Sequence, residues 1–239
     1  MVRSMSFDPG PLIGKITSAT EQLLRTAATF DDADVRRPSL LPGWSRGHVL
    51  THVARNADGG TRMLSWARTG VETPEYASVQ ARADEIEAGS RRAAKSLMVD
   101  LRESAARFAD AYMAMPADAW SRPLRWTSGK ERPAYRAADA RLTEVLVHHV
   151  DLQAEYQPDD WPDDFVEAFT ADVISAFAGR EGIPSLHLIA SDTGAEFRLG
   201  AEGEARVVRA EQALLLTWLL GRSNHAGAEE DLPALPFLY

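Results

Sequence analysis

The chain has 239 residues, 35 acidic against 26 basic side chains for a formal net charge of −9, and no cysteine. That length holds one large domain or two small ones with a proper core. The acidic, well-mixed charge argues against a surface that tracks nucleic-acid phosphates or an anionic membrane, and the lack of cysteine excludes disulfides, thiolate metal ligands and a cysteine nucleophile. Any thiol chemistry must therefore use a thiol brought from outside. No run approaches the length of a membrane span, and the first ten residues lack the apolar stretch of a signal peptide. A cytoplasmic protein with small-molecule partners is expected.

Asp8-Pro9-Gly10-Pro11 reads as a turn-rich lead-in. Leu12, Ile16, Ala19, Leu23 and Ala27 then recur at helical spacing and predict a first amphipathic helix ending near Phe30. Asp31, Asp32 and Asp34 suit a short capped turn. Ser45 is placed as an N-cap, so that Arg46 opens a second helix with His48 in its first turn and His52 one turn deeper. Gly59-Gly60 is expected to loosen this helix before it resumes towards Thr69-Gly70. A polar stretch from Val71 to Val79 leads to a long third helix carrying Ile86, Leu97, Leu101, Ala105, Phe108, Tyr112 and Met115, stopped by Pro116. Trp120 to Tyr135, with Pro123, Gly129 and Pro133, reads as an irregular or hairpin-like connection of a length that is often functional.

Ala137 to Tyr156 is predicted as the fourth helix, and Gln157 to Pro162 breaks it. Four helices with long connections make a four-helix bundle, a fold that places metal sites between facing helices. Beyond Pro162 the pattern changes. Phe165, Phe169, Val173 and Phe177 form a ladder at spacing four, followed by a strand over Ser185–Ser191 and a turn at Asp192-Thr193-Gly194. Ala195–Gly200 and Ala205–Val208 read as further strands, and Glu211–Leu220 as an apolar closing helix with Gly221 as its C′ residue. The expected fold class is mainly α: a bundle over residues 1–157 and a small α+β domain over 158–239.

The chemistry concentrates in the fourth helix. Glu144 and His148 stand one turn apart on one face, whereas His149 is rotated away by about 100°. A second pair with this spacing, His48 and His52, lies on the second helix, so that two histidines and a glutamate can meet between helices. Three such ligands leave a coordination position open, as in catalytic zinc sites. His48 competes with His52 for the role, but its place after Ser45 favours bonding the helix start. Asp151, one turn beyond His148, is either a plain surface acid or the acceptor for the outer nitrogen of a metal-bound imidazole from the other helix. Trp44 packs the start of the second helix or walls the site. His149 and His187 read as polar surface or strand residues. Arg222, in Gly221-Arg222-Ser223-Asn224-His225, either complements the C-terminus of the closing helix or forms a fork for a substrate carboxylate.

Leu41-Pro-Gly-Trp-Ser, the His52-Val-Ala-Arg-Asn-Ala-Asp run and Glu144-x3-His148-His149-x-Asp151 together resemble the metal-binding bundle of the DinB-like superfamily. More closely, the chain resembles the mycothiol-dependent maleylpyruvate isomerase branch, whose small C-terminal domain closes in Leu-x-Gly-Arg, here Leu219 to Arg222. The resemblance implies that His52, Glu144 and His148 are the metal ligands, that the ion is zinc or another divalent metal, and that Arg222 is catalytic. It also implies mycothiol as the external thiol cofactor and a dicarboxylate substrate. The implied reaction turns maleylpyruvate into fumarylpyruvate, in gentisate-type aromatic degradation. A metal-activated thiolate adds to the cis double bond, the resulting enolate rotates, and the thiolate is expelled. A mycothiol S-transferase or a metal-dependent hydrolase of a mycothiol conjugate would use the same ligands. A metal or thiol sensor would be expected to close its coordination shell instead. A monomer or weak oligomer is expected.

Overall fold

The computed structural model describes residues 7–223 and 232–236 and divides into two units, residues 1–155 and 156–239. Fold class is mainly α, as expected.

In the first unit α1 spans Pro9–Ala27. It starts inside the expected lead-in because Asp8 caps it, accepting a hydrogen bond from the Gly10 amide at 3.0 Å. Proline at the first helical position costs no hydrogen bond and comes with a suitable φ. A short 3₁₀ turn, Asp34–Arg36, leads to α2, Arg46–Thr69.

Helix α2 runs unbroken through Gly59-Gly60, where a loosening was expected. The glycines serve close packing: a Cβ on Gly60 would lie 2.7 Å from the Phe108 ring, and one on Gly59 would lie 3.1 Å from Glu75. Tertiary contact thus compensates for the low helix propensity of glycine.

The long third helix expected from the pattern is two helices, α3 at Val79–Ser90 and α4 at Ala94–Met113. The break sits where the chain presses on α2. A Cβ on Gly89 would meet Thr51 at 2.4 Å, and one on Gly47 would meet the Ser90 carbonyl at 2.4 Å. The connection after α4 forms a 3₁₀ turn, Ala117–Ser121, and a hairpin of β1 (Pro123–Arg125) and β2 (Glu131–Pro133), with Leu124 opposite Arg132.

Helix α5 covers Tyr135–Asp151, starting two residues before the expected helix and ending five before its limit at Tyr156. At its end Gln153 turns to φ +49, and the buried Arg46 guanidinium takes the freed carbonyls, Nε donating to Leu152 and Nη2 to Gln153, both at 2.6 Å. The carbonyls that a helix end leaves without partners are thereby satisfied. Helices α1, α2, α4 and α5 form the bundle, with α2 packed on α4 and α5. Ile16, Leu64, Phe108, Tyr112 and Trp120 lie in one buried cluster, where each large side chain contributes roughly 1.5–3 kcal/mol relative to exposure.

In the second unit α6, Asp163–Phe177, buries the Phe165, Phe169, Val173 and Phe177 ladder. Three strands follow, β3 (Leu186–Ala190), β4 (Glu196–Leu199) and β5 (Arg206–Ala210), in the order β4-β3-β5. Strand β3 pairs antiparallel with β4, Leu188 opposite Phe197, and parallel with β5, Leu188 opposite Val208. The closing helix α7 is Gln212–Leu219. It ends as expected at Gly221 (φ +72), whose amide donates to the Trp218 carbonyl while the Arg222 amide reaches Thr217. That pair of bonds is the Schellman closure.

Candidate metal centre

Ser45 and His48 form a reciprocal cap at the start of α2: His48 Nδ1 accepts from the Ser45 amide at 3.1 Å, and its amide reaches Ser45 Oγ. His48 Nε2 contacts Glu87 at 3.0 Å. His48 therefore belongs to the helix start. One turn deeper His52 is buried, 3 % exposed, with the Trp44 ring 5.5 Å from its own. Trp44 also stacks near His48, so it serves both the cap and the wall of the site.

His52 Nε2 lies 2.8 Å from Glu144 Oε2 and 3.0 Å from His148 Nε2, and His148 Nε2 lies 3.2 Å from the same carboxylate oxygen. Among the described residues, His52, Glu144 and His148 form the group whose ligand atoms could hold one metal ion, all within 4.8 Å of one another. The donor set fits a metal on two counts. Two imidazoles and a carboxylate suit zinc, which at about 2.0–2.1 Å from each donor would hold them about 3.3 Å apart, a few tenths of an ångström wider than the present spacings. In addition, Glu144 Oε2 is buried and makes no hydrogen bond of acceptable geometry despite its two near neighbours. The Glu144 side chain as a whole is 29 % exposed, so the group is reachable from one side.

Helix α5 also supplies the partner that orients His148. Asp151 is fully buried and its Oδ2 lies 2.7 Å from His148 Nδ1. Neither earlier alternative holds: Asp151 is not a surface acid, and it serves the imidazole of its own helix three residues back. The spacing was readable, because residues three apart on a helix are neighbours. His149 is corrected as well. It is 1 % exposed and bonded through Nε2 to Thr26 Oγ1 of α1 at 2.8 Å. His187 stands on β3, 2.7 Å from Glu196.

The electrostatics of the three donors differ. Burial lowers His52 to about 4, and the charges of His148 and Arg82 add to the effect against that of Glu144. Burial acts against Glu144 ionisation, but the His52 charge and the closeness of both imidazoles hold it well below the usual carboxylate range. For His148 burial is outweighed by the hydrogen bond to Asp151 and the adjacent Glu144 carboxylate, which raise it to about 9. Near neutral pH the group thus holds a carboxylate, a neutral imidazole and an imidazolium.

Arg222 lies in the second unit, just after α7, with Nη1 donating to the Leu220 carbonyl at 2.7 Å. Asn224 and His225, named with it in the sequence, lie outside the described residues. Three residues around the metal group carried no signal in the sequence. Arg82 of α3 places Nη2 3.2 Å from His52 Nδ1. Tyr76 is buried with an unpartnered hydroxyl, and Arg141 is buried one turn before Glu144 with an unpartnered Nη2. Only tertiary packing brings Tyr76 and Arg82 to this place.

Residues 16–153 match the family model described as the mycothiol maleylpyruvate isomerase N-terminal domain. A sequence comparison with curated proteins finds no significant match. Two solved structures are similar over 99 % of this chain and 100 % of theirs, each at 28 % identity. They are crystal structures of the mycothiol-dependent maleylpyruvate isomerase (TM-score 0.87) and of the mycothiol-dependent maleylpyruvate isomerase H52A mutant (TM-score 0.86). A family match over most of the first unit, with structural likeness over both, leads to one conclusion: this chain belongs to the mycothiol maleylpyruvate isomerase family.

Proposed function

We propose that this chain is a mycothiol-dependent maleylpyruvate isomerase, making fumarylpyruvate in gentisate-type aromatic degradation, with zinc held by His52, Glu144 and His148. The reading rests on one observation. In a chain similar along its length to such an isomerase, three donor atoms from two helices converge within 4.8 Å.

A metal held by His52, Glu144 and His148 would lower the pKa of the external thiol, whose thiolate would add to the cis double bond, leave a single bond free to rotate, and then be expelled. The protein's own work is to hold and orient. Asp151 accepts the Nδ1 proton of His148 and so presents the Nε2 lone pair to the group. Trp44 packs its ring against that of His52 and walls this side of the group. Arg222, whose amide is held by the cap of α7, is assigned one substrate carboxylate. The chain contains no cysteine that could compete with the external thiol. Among the described residues no helix is long and apolar enough to cross a membrane. A cytoplasmic monomer or weak oligomer, with no nucleic-acid partner, completes the proposal.

The test is to follow fumarylpyruvate formation from maleylpyruvate spectroscopically, using zinc-loaded protein with mycothiol, with glutathione and with no thiol. Turnover only with mycothiol, abolished by a chelator, is the expected result. Metal binding without isomerisation under any of the three conditions would overturn the reading in favour of S-transfer.

A further inference from the structure

The two imidazoles of the metal group meet opposite partners at their outer nitrogens. His148 Nδ1 faces the Asp151 carboxylate, an acceptor, which is the usual support for a metal-binding histidine. His52 Nδ1 instead faces Arg82 Nη2 at 3.2 Å. A guanidinium has five donors and no acceptor, so in this contact His52 Nδ1 accepts and its proton sits on Nε2.

For His52 to bind a cation through Nε2, the proton must move to Nδ1. There it meets a second donor, and the contact with Arg82 stops being a hydrogen bond. Two donors side by side call for an acceptor that both can reach. A carboxylate supplies two oxygens and about four lone-pair sites. The surroundings suit such a guest. Arg82 is half-buried with its guanidinium 5.8 Å from the centre of the Tyr76 ring. Tyr76 Oη and Arg141 Nη2 are both buried without hydrogen-bond partners in the same bundle.

We propose that Arg82 is a carboxylate-binding residue beside the metal group, made available when His52 turns its Nε2 lone pair to the metal. The inference rests on the proposed isomerase function for its substrate class, since maleylpyruvate is a dicarboxylate. It predicts an order: metal first, then the dicarboxylate.

Calorimetric titration of the full chain with maleate, a cis dicarboxylate, tests this. Zinc-loaded and zinc-free wild type would be compared with zinc-loaded Arg82→Ala and Arg82→Lys, and zinc affinity would be measured for each variant. The expected result is maleate binding that needs zinc, weakened about 10- to 100-fold in Arg82→Ala and partly restored in Arg82→Lys. Zinc affinity stays the same or tightens, and KM for maleylpyruvate rises more than kcat falls. A loss of zinc affinity in Arg82→Ala with maleate binding and KM unchanged would overturn the proposal, because Arg82 would then only support His52. So would a variant that alters neither. Maleate binding that depends on Arg82 in a protein that isomerises nothing would keep the carboxylate site and remove the isomerase reading.

Discussion

The Nε2 atoms of His52 and His148 face each other at 3.0 Å, with their rings close to perpendicular. One imidazole can donate to the other there, while the Glu144 oxygen beside them is left without a proper hydrogen bond. Three ligand atoms this close, with the carboxylate oxygen unpaired, are arranged for a guest that accepts electron pairs from all three. The two histidines nevertheless have different outer surroundings, from which separate consequences follow.

Replacing Asp151 by Asn keeps the volume but removes the charged acceptor for His148 Nδ1. Zinc affinity is expected to fall about 10- to 100-fold, the usual effect of losing an outer-shell partner. His148 should titrate below its present value of about 9, since Asp151 is a main reason that it is raised. Calorimetry with zinc and NMR titration of the imidazole check the two parts, and an unchanged zinc affinity would refute the assigned role.

The stability of metal-free protein should depend on pH in two opposed ways. His52, lowered to about 4 in the fold, takes up a proton on unfolding below its ordinary value near 6.5, so stability falls as pH drops from 6.5 towards 4. His148, raised to about 9, contributes stability that is fully present below 6.5 and lost as pH rises through 9. Urea melts in the presence of a chelator should therefore peak near pH 6.5. Metal affinity should rise with pH over the upper window, because His148 must release its proton to bind.

Gly60→Ala tests the packing that keeps α2 continuous. The added methyl would meet the Phe108 ring at 2.7 Å, in a place where both helices are fixed by further contacts. A loss of about 1–3 kcal/mol in urea unfolding is expected. Adding Phe108→Leu should recover part of it, and a neutral effect of the single variant would show that the helices separate more easily than their packing implies.

Arg222→Ala leaves the Gly221 closure of α7 intact, because that closure uses backbone groups. On the proposed role KM for maleylpyruvate should rise about 10- to 100-fold as one charge-assisted pair is lost. Zinc affinity should stay unchanged, and stability should fall by less than the effect on KM. Parallel losses in stability and KM would assign Arg222 to the fold alone.

The Glu144–His148 pair was legible in the sequence because the two sit on one helix at spacing four, whereas the choice of His52 over His48 came from the family resemblance, with the Ser45 cap favouring His48 for the helix start. The Phe165 ladder and the Gly221 stop were likewise local signals. Features that depend on distant partners were not readable. The continuity of α2 through Gly59-Gly60 depends on Phe108, and the break between α3 and α4 on Thr51 and Gly47. His149 looked like a surface residue because its partner Thr26 comes from α1. Arg82 gave no sign at all, since neither its spacing nor its neighbours link it to His52. Asp151 differs from these: its partner was three residues away, and a stricter use of helical geometry would have paired them.

The most direct test of the account is a zinc titration of chelator-treated protein, beside His52→Ala, Glu144→Ala and His148→Ala. The wild type should bind one ion per chain, with X-ray absorption showing two imidazole nitrogens at about 2.0–2.1 Å, and each variant should lose much of its affinity. Wild-type affinity retained in any of the three, or an ion held only by oxygen, would contradict it.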